Sequence, residues 1–523
     1  MSSGSGLPPE LLELVFDHLD EKTRVPFGSS AFDSEDLALC NQSLFSCALS
    51  CRAFSVPALR ALWYTVDTLL PLLRLLPNLQ LINNTYVLTG VPDETSLNRF
   101  DFYASMIKSF RFAKFDTDVN DENTVNDSVY QRLLRLRPRP LPSLTSVEYA
   151  YVAEPCHMMS LLFLSPFLKE AFFQLDHSSE QNGHGAAIYA YLSNIQKEAL
   201  PMFQRLFISE YHPQRYLFPV ISQLKHLRFL ELYTDAYESS EMLIRDMRVL
   251  GGLEHLEELH LSVMWVEADA ERESYWERDS NSQGHSILFR SLKSVYMCLR
   301  DCYCFSQLLD LFRDAPLESF ELEEEMYYLT EALRTVQWPS SVTSLCFRSY
   351  SPSSHSLEVL QTMRNLTKLR FRGASDGVSD ADVSTICHAW PHLTNLHIEA
   401  GFASHLSCTP TLVALRTVRE RCPVLEHLDL PINLISIPSL EVYGDLDTSI
   451  LSNRLQDVNL QVNGIARSDS ASLGLIVDHL RHIFPHLSWQ KFQFRPTTDL
   501  NGFKEVEASL AVLIRIMREG GQL

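Results

Sequence analysis

At 523 residues the chain is too long for one core of ordinary size, and at 46% apolar residues it is too apolar for wholesale disorder. A net charge of −21 argues against general nucleic-acid binding, which needs a basic stripe to displace counterions, and against adhesion to an anionic bilayer. No uninterrupted apolar stretch reaches the length of about 18 residues that a membrane-spanning helix needs.

The start, Met1 to Gly6, is rich in Ser and Gly and has neither the basic residues nor the apolar run of an export signal. Eleven cysteines without a regular framework then read as reduced, mostly buried thiols in the cytoplasm or nucleus. On the same logic Asn83-Asn84-Thr85 and Asn365-Leu366-Thr367 are expected to remain unglycosylated.

Leu7-Pro8-Pro9-Glu10 leads into Leu11, Leu12, Val15, Phe16 and Leu19, an apolar stripe at helical spacing. Pro9 suits a first helical turn, and Glu10 complements the helix dipole there. A segment rich in small residues, Leu44 to Phe54, contains Cys51-Arg52 and is followed by Pro57, Leu59, Leu62 and Trp63. Between the two, Asp20 to Asp36 reads as a solvent loop with Pro26 and Gly28. Residues 7–66 resemble an F-box, in the style common in fungal F-box proteins. The resemblance implies a small all-α module that docks the adaptor Skp1 and, through it, a cullin of a ubiquitin ligase. The docking residues it implies are Leu7, Pro8, Glu10, Leu11, Val15, Phe16, Leu19, Cys51, Arg52 and Trp63. The insert is longer than the family's usual link and lies beside the implied docking surface. Residues 67–105 read as a linking helical segment.

From residue 106 to 500 one phrase recurs: an apolar residue, two of any kind, an apolar residue, one of any kind, an apolar residue. Leu227/Leu230/Leu232, Leu256/Leu259/Leu261, Leu317/Phe320/Leu322, Val342/Leu345/Phe347 and Leu366/Leu369/Phe371 are clear copies. Leu393/Leu396/Ile398, Leu425/Leu428/Leu430 and Leu455/Val458/Leu460 continue the series. Degenerate copies end at Phe112, Tyr149, Phe173, Ile208, Met297 and Phe494. The last two apolar positions alternate as in a half-buried strand. Helical spacing follows in Val383, Ile386, Cys387 and Trp390, and again from Leu473 to Phe484, before Pro391 and Pro485. This resembles the leucine-rich-repeat family, whose period is roughly 20–29 residues. It implies an α/β solenoid, a horseshoe with strands on the concave face and helices on the convex one. The family's usual Asn or Cys after the strand is not regularly present. Val506, Leu510, Leu513, Ile514 and Met517 read as a helical cap over residues 501–523, with Gly520-Gly521 ending it.

The residues between the buried strand positions face outward. Glu258, His260, Glu321 and Glu323 form an acidic group, and Arg348, Lys368, Arg370 and Arg372 a basic one. Asn395, His397, Glu399, His427 and Asp429 come next. The basic positions either pair with their acidic neighbours or hold an acidic or phosphorylated peptide. On the second reading Arg348, Lys368, Arg370, Arg372 and His397 are the candidate client-binding residues. The charged insert from Trp265 to Gly284 carries Tyr275 and Trp276, a further contact candidate.

No nucleophile turn, phosphate-binding glycine loop or zinc-protease motif occurs. Cys298, Cys302 and Cys304 lack paired metal-ligand spacing, and Cys156-His157 carries no signal. Glu323-Glu324-Glu325 lacks the spaced oxygens of a calcium loop, and His226 and His255 recur at equivalent repeat positions. No catalytic residue, cofactor or metal is expected. Three functions fit: the substrate receptor of a ubiquitin ligase, a repeat scaffold whose N-terminal segment is only a cap, and an enzyme on an unrecognised α/β fold.

Overall fold

The computed structural model describes residues 8, 11–12, 14–16, 34–113, 124–150, 159–174, 184–210, 216–237, 239–266, 288–299, 304–323, 340–348, 354–374, 377–400, 409–435, 454–465, 470–484, 491–496 and 503–519. The chain forms two compact units, Met1–Thr234 and Asp235–Leu523.

The first unit opens with a small all-α module. Residues 11–12 and 14–16 are helical, and the N–H groups of Leu11 and Leu12 donate to the Pro8 carbonyl at 3.0 and 3.1 Å. The helices Ser34–Ser50 and Arg52–Leu62 pack on each other, broken apart by extended backbone at Cys51. Their core is Leu12, Phe16, Leu44, Ala48, Ala58 and Ala61. Three alanines at this contact let the helix backbones approach closely, and Phe16 meets Phe54 edge to face at 5.8 Å. The helix starting at Ser34 takes in the last residues of the expected Asp20–Asp36 loop. Residues 17–33 lie outside the described residues.

The strands of this unit are β1 (Thr65–Val66), β2 (Leu79–Ile82), β3 (Thr85–Leu88), β4 (Ser109–Ala113), β5 (Thr124–Val125), β6 (Ser146–Ala150), β7 (Glu170–Gln174), β8 (Arg205–Glu210) and β9 (Phe229–Tyr237). Residues 67–105 are not purely helical, contrary to the sequence reading. Besides the helices Leu70–Leu73 and Glu94–Ala104 they hold the antiparallel hairpin β2–β3, which β5 joins. Asn83 and Asn84 turn it with φ of 49° and 58°. Two consecutive positive φ values match the right-handed strand twist, and Asn tolerates them better than other side chains. The remaining strands run parallel in the order β1-β4-β6-β7-β8-β9.

The second unit continues the pattern with β10 (Glu258–Val266), β11 (Ser294–Leu299), β12 (Ser319–Glu323), β13 (Ser344–Arg348), β14 (Lys368–Ala374), β15 (Asn395–Ala400), β16 (His427–Leu434), β17 (Asp457–Ile465) and β18 (Phe492–Pro496). All are parallel and ordered as in the chain. β10 extends to Val266, so the expected insert begins after it, and Tyr275 and Trp276 lie outside the described residues.

The apolar phrase sets the register in both units. Phe112, Tyr149, Phe173, Ile208 and Leu232 are successive strand partners, as are Leu261, Met297, Leu322, Phe347, Phe371 and Ile398, and then Leu430, Leu460 and Phe494. Helices such as Asp380–Ala389 and Ser470–Ile483 bury Val383, Ile386 and Cys387, or Leu473, Ile476 and Leu480. Ser379 and Asp382 form a reciprocal capping box that starts the first of these. The final helix Phe503–Glu519 packs on the helix Ser470–Ile483 and on β17 and β18, burying Leu510, Leu513 and Met517. Each unit is an α/β solenoid of the leucine-rich-repeat kind.

Threonines just before four of the strands tie neighbouring repeats through their hydroxyls. Thr343 Oγ1 donates to the Glu318 carbonyl at 3.3 Å, Thr367 to Thr343 at 3.2 Å, and Thr394 to Thr367 at 3.1 Å. Thr145 does the same to Lys108 at 2.9 Å. Each of these carbonyls also accepts two consecutive backbone N–H groups of the next repeat; that of Thr367 takes Thr394 at 2.8 Å and Asn395 at 3.1 Å. In these four repeats a hydroxyl thus adds a third donor to a turn carbonyl that already holds two backbone N–H groups.

Candidate partner-binding surfaces

The N-terminal module divides its apolar residues between two faces. Leu12 and Phe16, four apart, point into the core, and Phe16 is 4% exposed. Leu11, Leu14 and Val15 face solvent at 46%, 64% and 52%. On the next helix Leu44 and Ala48 are buried, while Phe45 and Leu49, again four apart, are exposed. Such a small helical module with apolar side chains on both faces has more apolar surface than its own core can cover.

This sorts the residues named for docking. Pro8, Leu11, Val15, Cys51 and Arg52 are exposed. Phe16 belongs to the module's core and is not available to a partner. Trp63 packs on Tyr103 of the helix Glu94–Ala104 in the same unit, with ring centroids 5.0 Å apart and planes tilted by 39°, and its indole is half-buried. Leu7, Glu10 and Leu19 lie outside the described residues. Leu14, Phe45 and Leu49 were missed. Phe45 and Leu49 stand on opposite sides of a Cys47-Ala48 pair, and their i,i+4 spacing was the available signal.

The second surface is the outward strand face of the second unit. Its central row runs His260, Tyr296, Glu321, Cys346, Arg370, His397, Asp429, Asn459 and Gln493 in register. Arg348 donates to Glu321 at 2.5 Å and to Glu323 at 3.1 Å. Glu323 also accepts from the Tyr296 hydroxyl at 2.6 Å, and the Arg348 guanidinium lies 5.3 Å over that ring. Burial, then the bond to Glu323, holds the Tyr296 phenol well above its ordinary pKa. Arg348 is therefore neutralised by its neighbours.

His397 is occupied too, with Nδ1 3.1 Å from Asp429 and Nε2 3.9 Å from Glu399. Asp429 accepts from Asn459 and Gln461, both at 2.7 Å. Burial pushes its carboxyl up, but the contact with His397 and these two amides outweighs it, leaving the pKa below 3.8.

Lys368, Arg370 and Arg372 remain. All three sit on β14, Lys368 and Arg370 exposed and Arg372 half-buried. Among the described residues none of them forms an ion pair with a carboxylate. Arg370 and Arg372 flank Cys346, whose thiol is pushed up to about 11 by burial and then by Glu321, against the pull of the three arginines. The five-residue patch expected from the sequence thus contracts to three cations on one strand, bounded by ion pairs on either side.

Among the described residues no group of His, Cys, Asp or Glu is placed to hold a metal ion. Cys298 and Cys304 are buried, and Cys302 lies outside the described residues. Among the described residues no helix is long and apolar enough to cross a membrane.

No family model and no curated protein matches the sequence. Solved structures do. A crystal structure of a TLR13–ssRNA13 complex is similar at TM-score 0.33 and 10% identity, over 76% of this chain and 60% of that one. The mouse RP105/MD-1 complex is similar at TM-score 0.35 and 14% identity, over 75% of this chain and 55% of that one. The chain spans less than two thirds of either.

Proposed function

We propose that this protein is a substrate-recognition subunit of a cullin–RING ubiquitin ligase. Its N-terminal module docks a Skp1-type adaptor, and its repeats hold the client. The observation that carries this reading is the pair of exposed apolar sets, Leu11/Leu14/Val15 and Phe45/Leu49, on a module whose own core is already filled. Burying them against an adaptor removes apolar surface from water at about 25 cal/mol per Å². The chain acts by effective concentration, holding client lysines near a charged ubiquitin carrier, and the chemistry resides in other subunits. The work is done in the cytoplasm or nucleus.

The client site is the outward face of β14. Clustered cations that are not neutralised by their own fold favour a phosphorylated or acidic segment. Arg370 and Arg372 contribute bidentate donors and Lys368 a point charge.

Co-purification of the full-length protein with a Skp1-type adaptor tests the docking. The intact protein should retain the adaptor, and Val15→Asp or Leu49→Asp should release it without lowering the urea midpoint. Retention by both variants would reject this surface.

A second reading, that the module only caps the solenoid, draws on one observation. The helix Arg52–Leu62 leads almost directly into β1, which pairs with β4, and Trp63 packs on Tyr103. Under that reading the adaptor does not bind the intact chain, and removal of residues 1–62 unfolds the repeats behind it.

A further inference from the structure

The cations of β14 form a column along the strand. Lys368, Arg370 and Arg372 are alternate residues, so all three face outward, about 6.6 Å apart and about 13 Å from end to end. Their register partners on β13 are Ser344, Cys346 and Arg348. On β15, Asn395 and His397 stand beside Lys368 and Arg370. Past Arg372 the alternation ends: the register with β15 shifts, and Gly373 takes a φ of 69°.

The carboxylates of the same face lie to either side of this column. Glu321 and Glu323 stand two strands away on β12, where they hold Arg348. On the other side come Glu399 on β15 and Asp429 on β16, at 3.9 and 3.1 Å from His397. Neighbouring strands are about 4.8 Å apart, so an anionic chain laid across the sheet meets one of these carboxylates within about 10 Å of β14 in either direction. Like charges at that range repel, and a bound chain that displaces water weakens the screening. A chain laid along β14 keeps its anions over the column.

We propose, on the reading of β14 as the client site, that its occupant is an extended segment that runs along the strand and carries phosphorylated residues at alternate positions. An extended chain turns every second side chain to one face at nearly the pitch of β14. Phosphates two residues apart therefore meet two cations at once, and residues one or three apart turn one phosphate away. A phosphate suits the column better than a carboxylate. It carries a charge of about −1.5 to −2 and three acceptor oxygens, two of which an arginine fork binds together.

Fluorescence anisotropy of the full-length protein with labelled phosphopeptides tests this. Four peptides of one length and one composition carry two phosphoserines one, two, three or four residues apart, at a fixed ionic strength of about 0.1 M. Affinity should alternate, with spacings of two and four binding about tenfold more tightly than one and three. Arg370→Gln leaves Lys368 and Arg372 four apart, so the spacing of two should lose its advantage and the spacing of four should keep it. Arg372→Gln leaves Lys368 and Arg370 two apart and should do the reverse. Urea midpoints of both variants report on folding. Affinities that are equal, or that fall steadily with separation, would overturn the alternate spacing and leave β14 as an anion site. So would a wild-type pattern in both folded variants. No saturation by any peptide up to about 1 mM would overturn the client site as well. Tighter binding of inositol hexakisphosphate than of every peptide would assign the column to a compact polyphosphate and overturn the extended segment.

Discussion

Arg348 on β13 donates to Glu321 on β12 at 2.5 Å, and one strand further on Arg372, its register partner on β14, has no such carboxylate beside it among the described residues. Two adjacent arginines of the same face therefore differ in what they can offer a partner. An arginine that has already exchanged its hydration for a carboxylate gains little from a second one. Arg372, with Arg370 and Lys368, still has that exchange to make.

Arg370→Glu combined with Arg372→Glu should abolish capture of acidic and phosphoserine-containing peptides on an array, with the far-UV circular dichroism unchanged. Arg348→Glu should instead place three carboxylates together with Glu321 and Glu323 and lower the urea midpoint. Peptide capture that survives the double reversal would exclude β14 as the client site.

Phe16 and Leu49 should separate folding from docking. Phe16→Ala empties a core position and should cost about 3–5 kcal/mol of module stability, read as early loss of helical signal in urea. Leu49→Ala removes an exposed side chain and should stay within about 0.5 kcal/mol of wild type, while weakening adaptor retention. A similar stability loss in both would mean that Leu49 is covered by the chain itself.

Thr367→Val tests the hydroxyl ladder. The substitution keeps the β-branched shape and deletes one hydrogen bond to the Thr343 carbonyl, at an expected cost of about 1 kcal/mol by urea denaturation. The carbonyl keeps its two backbone donors, Thr367 N at 2.8 Å and Lys368 N at 3.0 Å, so a larger loss is not expected. A variant as stable as wild type would assign the turn to those backbone bonds alone.

Asp429 sets an acid dependence. Its folded pKa lies below the ordinary 3.8, so on acidification the unfolded chain takes up the proton first. The carboxylate therefore contributes its full stability above the unfolded pKa and loses it as pH falls through the folded one. Wild type should be more stable than Asp429→Asn at about pH 5, and the margin should close below about pH 4. Urea midpoints across that range measure it, and a margin that does not change with pH would rule out a stabilising carboxylate at Asp429.

The solenoid was legible because its signal is local and periodic. A residue such as Phe371 must be apolar to face the helices, and its copies fall in register because every repeat solves the same packing problem. Even Phe173, in a copy as weak as Leu168/Ala171/Phe173, takes its expected place between Tyr149 and Ile208. The hairpin at Asn83-Asn84 was not legible in that way. Its strands are short, and the pair reads only as part of an Asn-x-Thr triplet until two positive φ values show it as a turn.

The amino-acid sequence by itself determined which residues would be buried in the repeats and which strands would neighbour one another, since alternation and spacing along the chain dictate both. Tertiary structure alone decided which polar and apolar side chains were left for a partner. Leu11, Leu12, Val15 and Phe16 read alike as one apolar stripe, and only the packing of Leu12 and Phe16 on Leu44, Ala48 and Ala58 turns Leu11 and Val15 outward. The basic residues from Arg348 to His397 look alike in one dimension, and only the reach of Glu321 and Asp429 across neighbouring strands occupies the two ends. Burial and charge compensation depend on side chains tens of residues apart, and a strand's outward positions record only what they carry, not what stands beside them.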